Sequence, residues 1–136
     1  MNSFLNHILS VDNKIICAYN GSGFDFYILI NYLKGKNVDI TDLILSNGSV
    51  LSFKFTHNNK TNKVFDLYRF IMSSLDNACK AYKIINSKIK FDVLKIQSWE
   101  LAEKYRHEVE PYLKYDVLSL SELFLLLMIQ FLNLIV

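Results

Sequence analysis

Two short clusters in this sequence combine a carboxylate with neighbours whose spacing has chemical meaning. The first is Asn20-Gly21-Ser22-Gly23-Phe24-Asp25, and the second is Tyr112-Leu113-Lys114-Tyr115-Asp116. A glycine turn after a strand presents Asn20, Phe24 and Asp25 at the edge of a sheet, where ligands of open α/β sheets usually bind. There Asp25 could hold a divalent metal, Phe24 could stack on a base, and Asn20 could donate to a phosphate or sugar. The plainer alternative has Asn20 stabilising the turn, Phe24 in the core and Asp25 capping a helix. In the second cluster, Tyr112 and Asp116 are four residues apart. On a helix they share a face, so a phenol and a carboxylate can converge on one water or metal, or form an ordinary surface pair.

These side chains need a scaffold. Ile15 to Tyr19 (IICAY) is a short apolar run before NGSG, the pattern of a buried strand ending at Asn20. A helix is expected over Phe24 to Leu33, with Phe24, Tyr27, Ile28 and Leu33 near helical spacing and Gly35 as its stop. Leu43 to Ser46 and Val50 to Thr56 flank Asn47-Gly48, a hairpin signature because Asn-Gly accepts the positive φ of a type I′ turn. This hairpin is expected beside the first strand. A polar loop (His57 to Lys63) then leads to a third strand at Val64 to Tyr68. One helix begins at Ser73 or Ser74 and runs through Leu75, Ala78, Cys79 and Tyr82, another follows Ser98, and Pro111 suits the first turn of a last helix. The fold class is α/β, with a mixed sheet, a β-hairpin and flanking helices.

Length and composition bound the rest. The 136 residues are the length expected of one domain rather than of a multidomain enzyme, and 51% hydrophobic with 21% charged residues can fill a core. A net charge of +2 does not announce a nucleic-acid binder, although a local basic groove needs no global excess. Cys17 and Cys79 have no metal-site spacing and read as buried thiols. Lysine outnumbers arginine 13 to 2, the bias of A/T-rich codons in organellar, viral or plasmid genomes. The opening MNSFLNHILS lacks the pattern of a secretory signal. Leu123 to Val136 is apolar except for Gln130 and Asn133 and reads as a C-terminal helix. It is shorter than the roughly 20 residues of a bilayer span, so a helix meant for burial that has lost its partner is favoured over membrane contact.

Asn20-x-x-x-Phe24-Asp25 and Tyr112-x-x-x-Asp116, in this order, resemble the second and third motifs of the 3′–5′ proofreading exonuclease domain of family B DNA polymerases. The likeness is to the organellar, viral and linear-plasmid type, many of whose members are protein-primed. NGSVLSFKF and VFDLYRF resemble that family's hairpin and third strand. Ser74-Leu75-Asp76-Asn77-Ala78 is similar to its Ser/Thr-Leu-x-x-hydrophobic element, and Lys88-Ile89-Lys90-Phe91 to its Lys-x-x-hydrophobic element. The likeness covers residues 15–124.

The resemblance implies a partial ribonuclease-H-like exonuclease fold over one partial domain, 1–136, without its first strands. It also implies roles. Asp25 and Asp116 are metal-binding carboxylates, and Tyr112 orients the attacking water. Asn20 and Phe24 hold the 3′-terminal nucleotides, Ser74 and Leu75 contact the single strand, and Lys88 assists at the phosphate. Ser74 is equally suited to cap a helix, and Lys88 to be a solvated charge. The implied cofactor is Mg2+ or Mn2+, and the implied partners are a single-stranded DNA 3′ end and the remainder of the polymerase. A mitochondrial, viral or plasmid origin follows in the same way.

Two divalent ions about 4 Å apart need several carboxylates around them. The family's Asp-x-Glu occurs nowhere in this sequence, Asp12 is the only acidic residue before Asn20, and no polymerase motif follows Asp116. The expectation is therefore a DNA-directed DNA polymerase fragment that cannot polymerise unaided and cleaves poorly alone. An inactive module that grips single-stranded nucleic acid, and a small membrane-associated protein, remain the alternatives.

Overall fold

Period-two apolar patterning and two Asn-centred turns build the sheet that positions the first cluster. The computed structural model describes residues 2–86 and 89–135. It divides into two units, Met1–Met72 and Ser73–Val136, and each is described by itself.

In the first unit, α1 (Asn2–Ser10) precedes β1 (Ile15–Ala18), α2 (Asp25–Lys34), β2 (Asp39–Ser46), β3 (Ser49–His57), β4 (Lys60–Asp66) and the short α3 (Tyr68–Ile71). The strand order is β1-β4-β3-β2, with β1 parallel to β4 and the other pairs antiparallel. The hairpin therefore lies one strand away from β1, with β4 between them. The reason is a second tight turn. Asn58 and Asn59 both take positive φ, 49° and 61°, as Asn47 and Gly48 do at 48° and 73°, so β4 starts at Lys60 and no loop spans residues 57–63. β4 also stops at Asp66, and Tyr68 belongs to α3 rather than to a strand.

Val50, Phe53, Phe55 and Val64 of the sheet pack with Leu5 and Ile8 of α1 and with Phe26, Leu29, Ile30 and Leu33 of α2. Val50 and Phe53 break the alternation expected of one strand face. The register explains this: Ile44 pairs Ser52 but Leu45 pairs Val50, so Leu51 is an extra residue and the parity of β3 inverts there. The buried stripe of α2 corrects the expected one. Phe24, Tyr27 and Ile28 are exposed, and the 26, 29, 30, 33 spacing faces the core. Asn62, itself buried, accepts a hydrogen bond from the Lys14 amide at 2.8 Å and donates to the Val11 carbonyl at 3.2 Å, fastening the approach to β1 onto β4.

In the second unit, Ser74 caps α4 (Leu75–Ala81) by accepting from the Asn77 amide at 3.2 Å, and Ser98 caps α5 (Trp99–Lys104) by accepting from the Leu101 amide at 3.3 Å. α6 runs unbroken from Arg106 to Ile135. Pro111 lies inside it rather than in its first turn, because the Glu108 and Val109 amides already donate to the Tyr105 carbonyl. The apolar tail from Leu123 to Ile135 is the end of this one helix, and Val136 lies outside the described residues. α6 is long and apolar enough to cross a membrane by length and composition alone, and most of its apolar stretch is exposed rather than buried as in a core helix. Glu122 of α6 accepts from the amides of Ile85 and Asn86 at 2.8 and 3.0 Å, and the Ser119 hydroxyl donates to the Asn86 and Tyr115 carbonyls.

Candidate functional site

The first cluster occupies the carboxyl end of β1, beside the carboxyl end of its parallel neighbour β4. Asn20 takes the left-handed conformation, φ 64° and ψ 28°, which an asparagine adopts more readily than most residues. Gly21–Gly23 form a single 3-10 turn, and Phe24 breaks from it at φ −147° to start α2. Gly21 is required by space: a Cβ there would lie 2.8 Å from the Ala18 Cβ and 2.9 Å from the Phe26 ring. Asp25 is the first residue of α2 and is exposed, so its carboxylate stands by the positive end of the helix dipole. Phe24 is 70% exposed, so it is a presented ring and not a core residue.

What shapes this turn is Asp66, which the sequence reading did not single out. At the last position of β4 and opposite Ala18 in register, it is 1% exposed. Its Oδ1 accepts from the Asn20 amide at 2.7 Å and the Tyr68 amide at 3.1 Å, and its Oδ2 from the Ser22 amide at 3.0 Å. Arg69 donates from Nη2 to the Ser22 hydroxyl at 2.9 Å, and Tyr19 and Tyr68 meet edge to face, their ring centroids 5.9 Å apart. The signal available in the sequence was a lone aspartate closing an apolar strand run in VFDLYRF. Cys17, next to this network, has its thiol pushed up to about 12, chiefly by burial and further by the charge of Asp66, against a lowering hydrogen bond from the Leu67 backbone.

The second cluster lies in the first half of α6. Tyr112 and Asp116 are both half-buried and one helical turn apart, and the Tyr112 ring lies 5.4 Å from that of Phe91 between centroids. Ser74 is exposed and Leu75 half-buried at the start of α4. Lys88 falls outside the described residues. The structure thus brings Asn20, Phe24 and Asp25 together in the first unit and Tyr112 and Asp116 together in the second.

The donor set can be tested against a two-ion centre. Among the described residues, no three His, Cys, Asp or Glu side chains gather in a way that could hold a metal ion. Within the first unit, Asp66, the carboxylate that holds the turn, has its oxygens turned to three backbone amides. These residues alone do not fit a pair of divalent ions, which needs more protein charge.

Comparison with known proteins adds the family. The family described as DNA polymerase type B, organellar and viral, matches residues 5–129. A DNA polymerase of Kluyveromyces lactis is 32% identical over 74 residues, a stretch that covers 54% of this chain and 7% of that protein's length. No solved structure matches the chain. With nearly its whole length matched, and with the two motif clusters inside the matched region, this chain belongs to the organellar and viral family of type B DNA polymerases.

Proposed function

We propose that the chain is the part of a family B DNA polymerase that grips the single-stranded 3′ end for 3′–5′ exonuclease proofreading, on a partial ribonuclease-H-like fold. The observation that carries this reading is the exposed Phe24 and Asp25 held side by side at the carboxyl end of a parallel strand pair. An exposed ring on a fixed turn is a platform for a terminal base, and Asn20 beside it offers an amide to phosphate or sugar. In the second unit, Ser74 and Leu75 would contact single-stranded DNA. Asp25 in the first unit and Asp116 in the second would each offer a carboxylate to Mg2+ or Mn2+, and Tyr112 lies one helical turn from Asp116. The absence of Asp-x-Glu from the sequence favours binding without efficient cleavage by the chain alone.

The test is anisotropy of a fluorescein-labelled oligothymidylate with a free 3′ end, titrated with the full chain at low and raised salt. Binding that weakens as salt rises, and that falls about tenfold in Phe24→Ala, is expected, since stacking on one base is worth about 1–3 kcal/mol. No binding at low salt, or binding indifferent to Phe24→Ala, overturns the reading. With Mg2+ added, little digestion is expected. Rapid digestion abolished by Asp116→Ala would show that the count of carboxylates is wrong.

A further inference from the structure

We propose that Asp66 is a positioning residue whose carboxylate holds the Asn20–Asp25 turn in the shape that presents Phe24 and Asp25 to a single-stranded DNA 3′ end. This rests on the reading proposed above and adds to it a residue outside both motif clusters. Asp66 cannot meet a ligand itself, being 1% exposed. Phe24, by contrast, is held by little packing, so the backbone of the turn decides where its ring points. That backbone is set by Asp66: one oxygen takes the Asn20 amide, the other takes the Ser22 amide, and the Tyr68 amide shares the first. Both strand ends are thereby locked through one side chain. Only a group with two acceptor oxygens can do this. In Asp66→Asn one oxygen becomes an NH2 facing an amide donor, so one arm of the clamp is lost while size and shape are kept.

The experiment combines the anisotropy titration with amide hydrogen exchange on the full chain, for the unsubstituted protein, Asp66→Asn, Phe24→Ala and the double variant. A lost hydrogen bond to a charged group corresponds to about tenfold or more in an equilibrium. Asp66→Asn is expected to weaken oligothymidylate binding about tenfold and to speed exchange at whichever of the Asn20 and Ser22 amides faces the new NH2, while β3 stays protected. Because Asp66 acts through the turn that carries Phe24, the double variant should bind no more weakly than Phe24→Ala. Unchanged binding by Asp66→Asn, faster exchange throughout β3, or losses that add in the double variant would each overturn the assignment while leaving the proposed function standing. If the unsubstituted chain does not bind, the underlying reading fails, and this assignment with it.

Discussion

Replacing Gly21 by alanine tests the packing of the first motif turn directly. The added Cβ would sit 2.8 Å from the Ala18 Cβ, 2.9 Å from the Phe26 Cε1 and 3.3 Å from its Cδ1, inside the roughly 3.5–4.0 Å of a relaxed carbon contact. Neither neighbour can retreat. Phe26 is buried and meets Phe53 edge to face at 5.9 Å, and the Ala18 carbonyl is held by the Leu67 amide at 2.9 Å. Overpacking of this kind costs about 1–3 kcal/mol, against about 0.4–1 kcal/mol regained from the stiffer unfolded chain, for a net loss centred on about 1.3 kcal/mol. For a unit of this size each lost kcal/mol lowers Tm by about 4–8 °C. Gly23→Ala is the control, because a Cβ at Gly23 meets nothing within 4 Å. Thermal unfolding by circular dichroism, with amide exchange in β3 to assign the loss to the first unit, provides the measurement. Equal stability of the Gly21→Ala and Gly23→Ala variants would refute the reasoning.

Two further outcomes follow from charge and burial. The amides of Ile85 first, and then Asn86, hold the Glu122 carboxyl below the usual glutamate range. A depressed folded-state value means that the stabilisation is present above the unfolded pKa and lost as pH falls through the folded one. Protection of the Ile85 and Asn86 amides should therefore exceed that in Glu122→Gln at neutral pH and converge with it in acid; a gap that persists in strong acid would contradict this. The Cys17 thiol, pushed up to about 12 mainly by burial, should resist iodoacetamide at mildly alkaline pH and react fully once urea unfolds the chain, as read by peptide mass spectrometry. Prompt labelling of the folded chain would show that its thiolate is accessible.

Local chemistry made most of the elements legible. Asn47-Gly48 announced its hairpin because few other pairs tolerate two positive φ angles, and Ser74 and Ser98 announced helix starts because a hydroxyl satisfies an amide left over in the first turn. Asn58-Asn59 carries a weaker form of the same turn signal, and reading it as loop displaced the start of β4 and put the hairpin beside β1. The apolar face of α2 is not legible in sequence for a different reason. Phe24, Tyr27 and Ile28 are as hydrophobic as the residues that face the core, and only the angle at which α2 meets the sheet selects Phe26, Leu29, Ile30 and Leu33.

By itself the sequence determined the family and the motif residues, since those depend on residue type and spacing along the chain. It also placed Asn20, Phe24 and Asp25 in one turn after a strand, and Tyr112 and Asp116 on one helix, because neighbours that close in sequence have few ways to separate. Tertiary structure decided the strand order, the parity change at Leu51 and the role of Asp66. Asp66 clamps amides more than 40 residues earlier in the chain, and no local pattern encodes such a contact. It exists only because β1 and β4, distant in sequence, end side by side as parallel strands, bringing a carboxylate from one to the unsatisfied amides of the other.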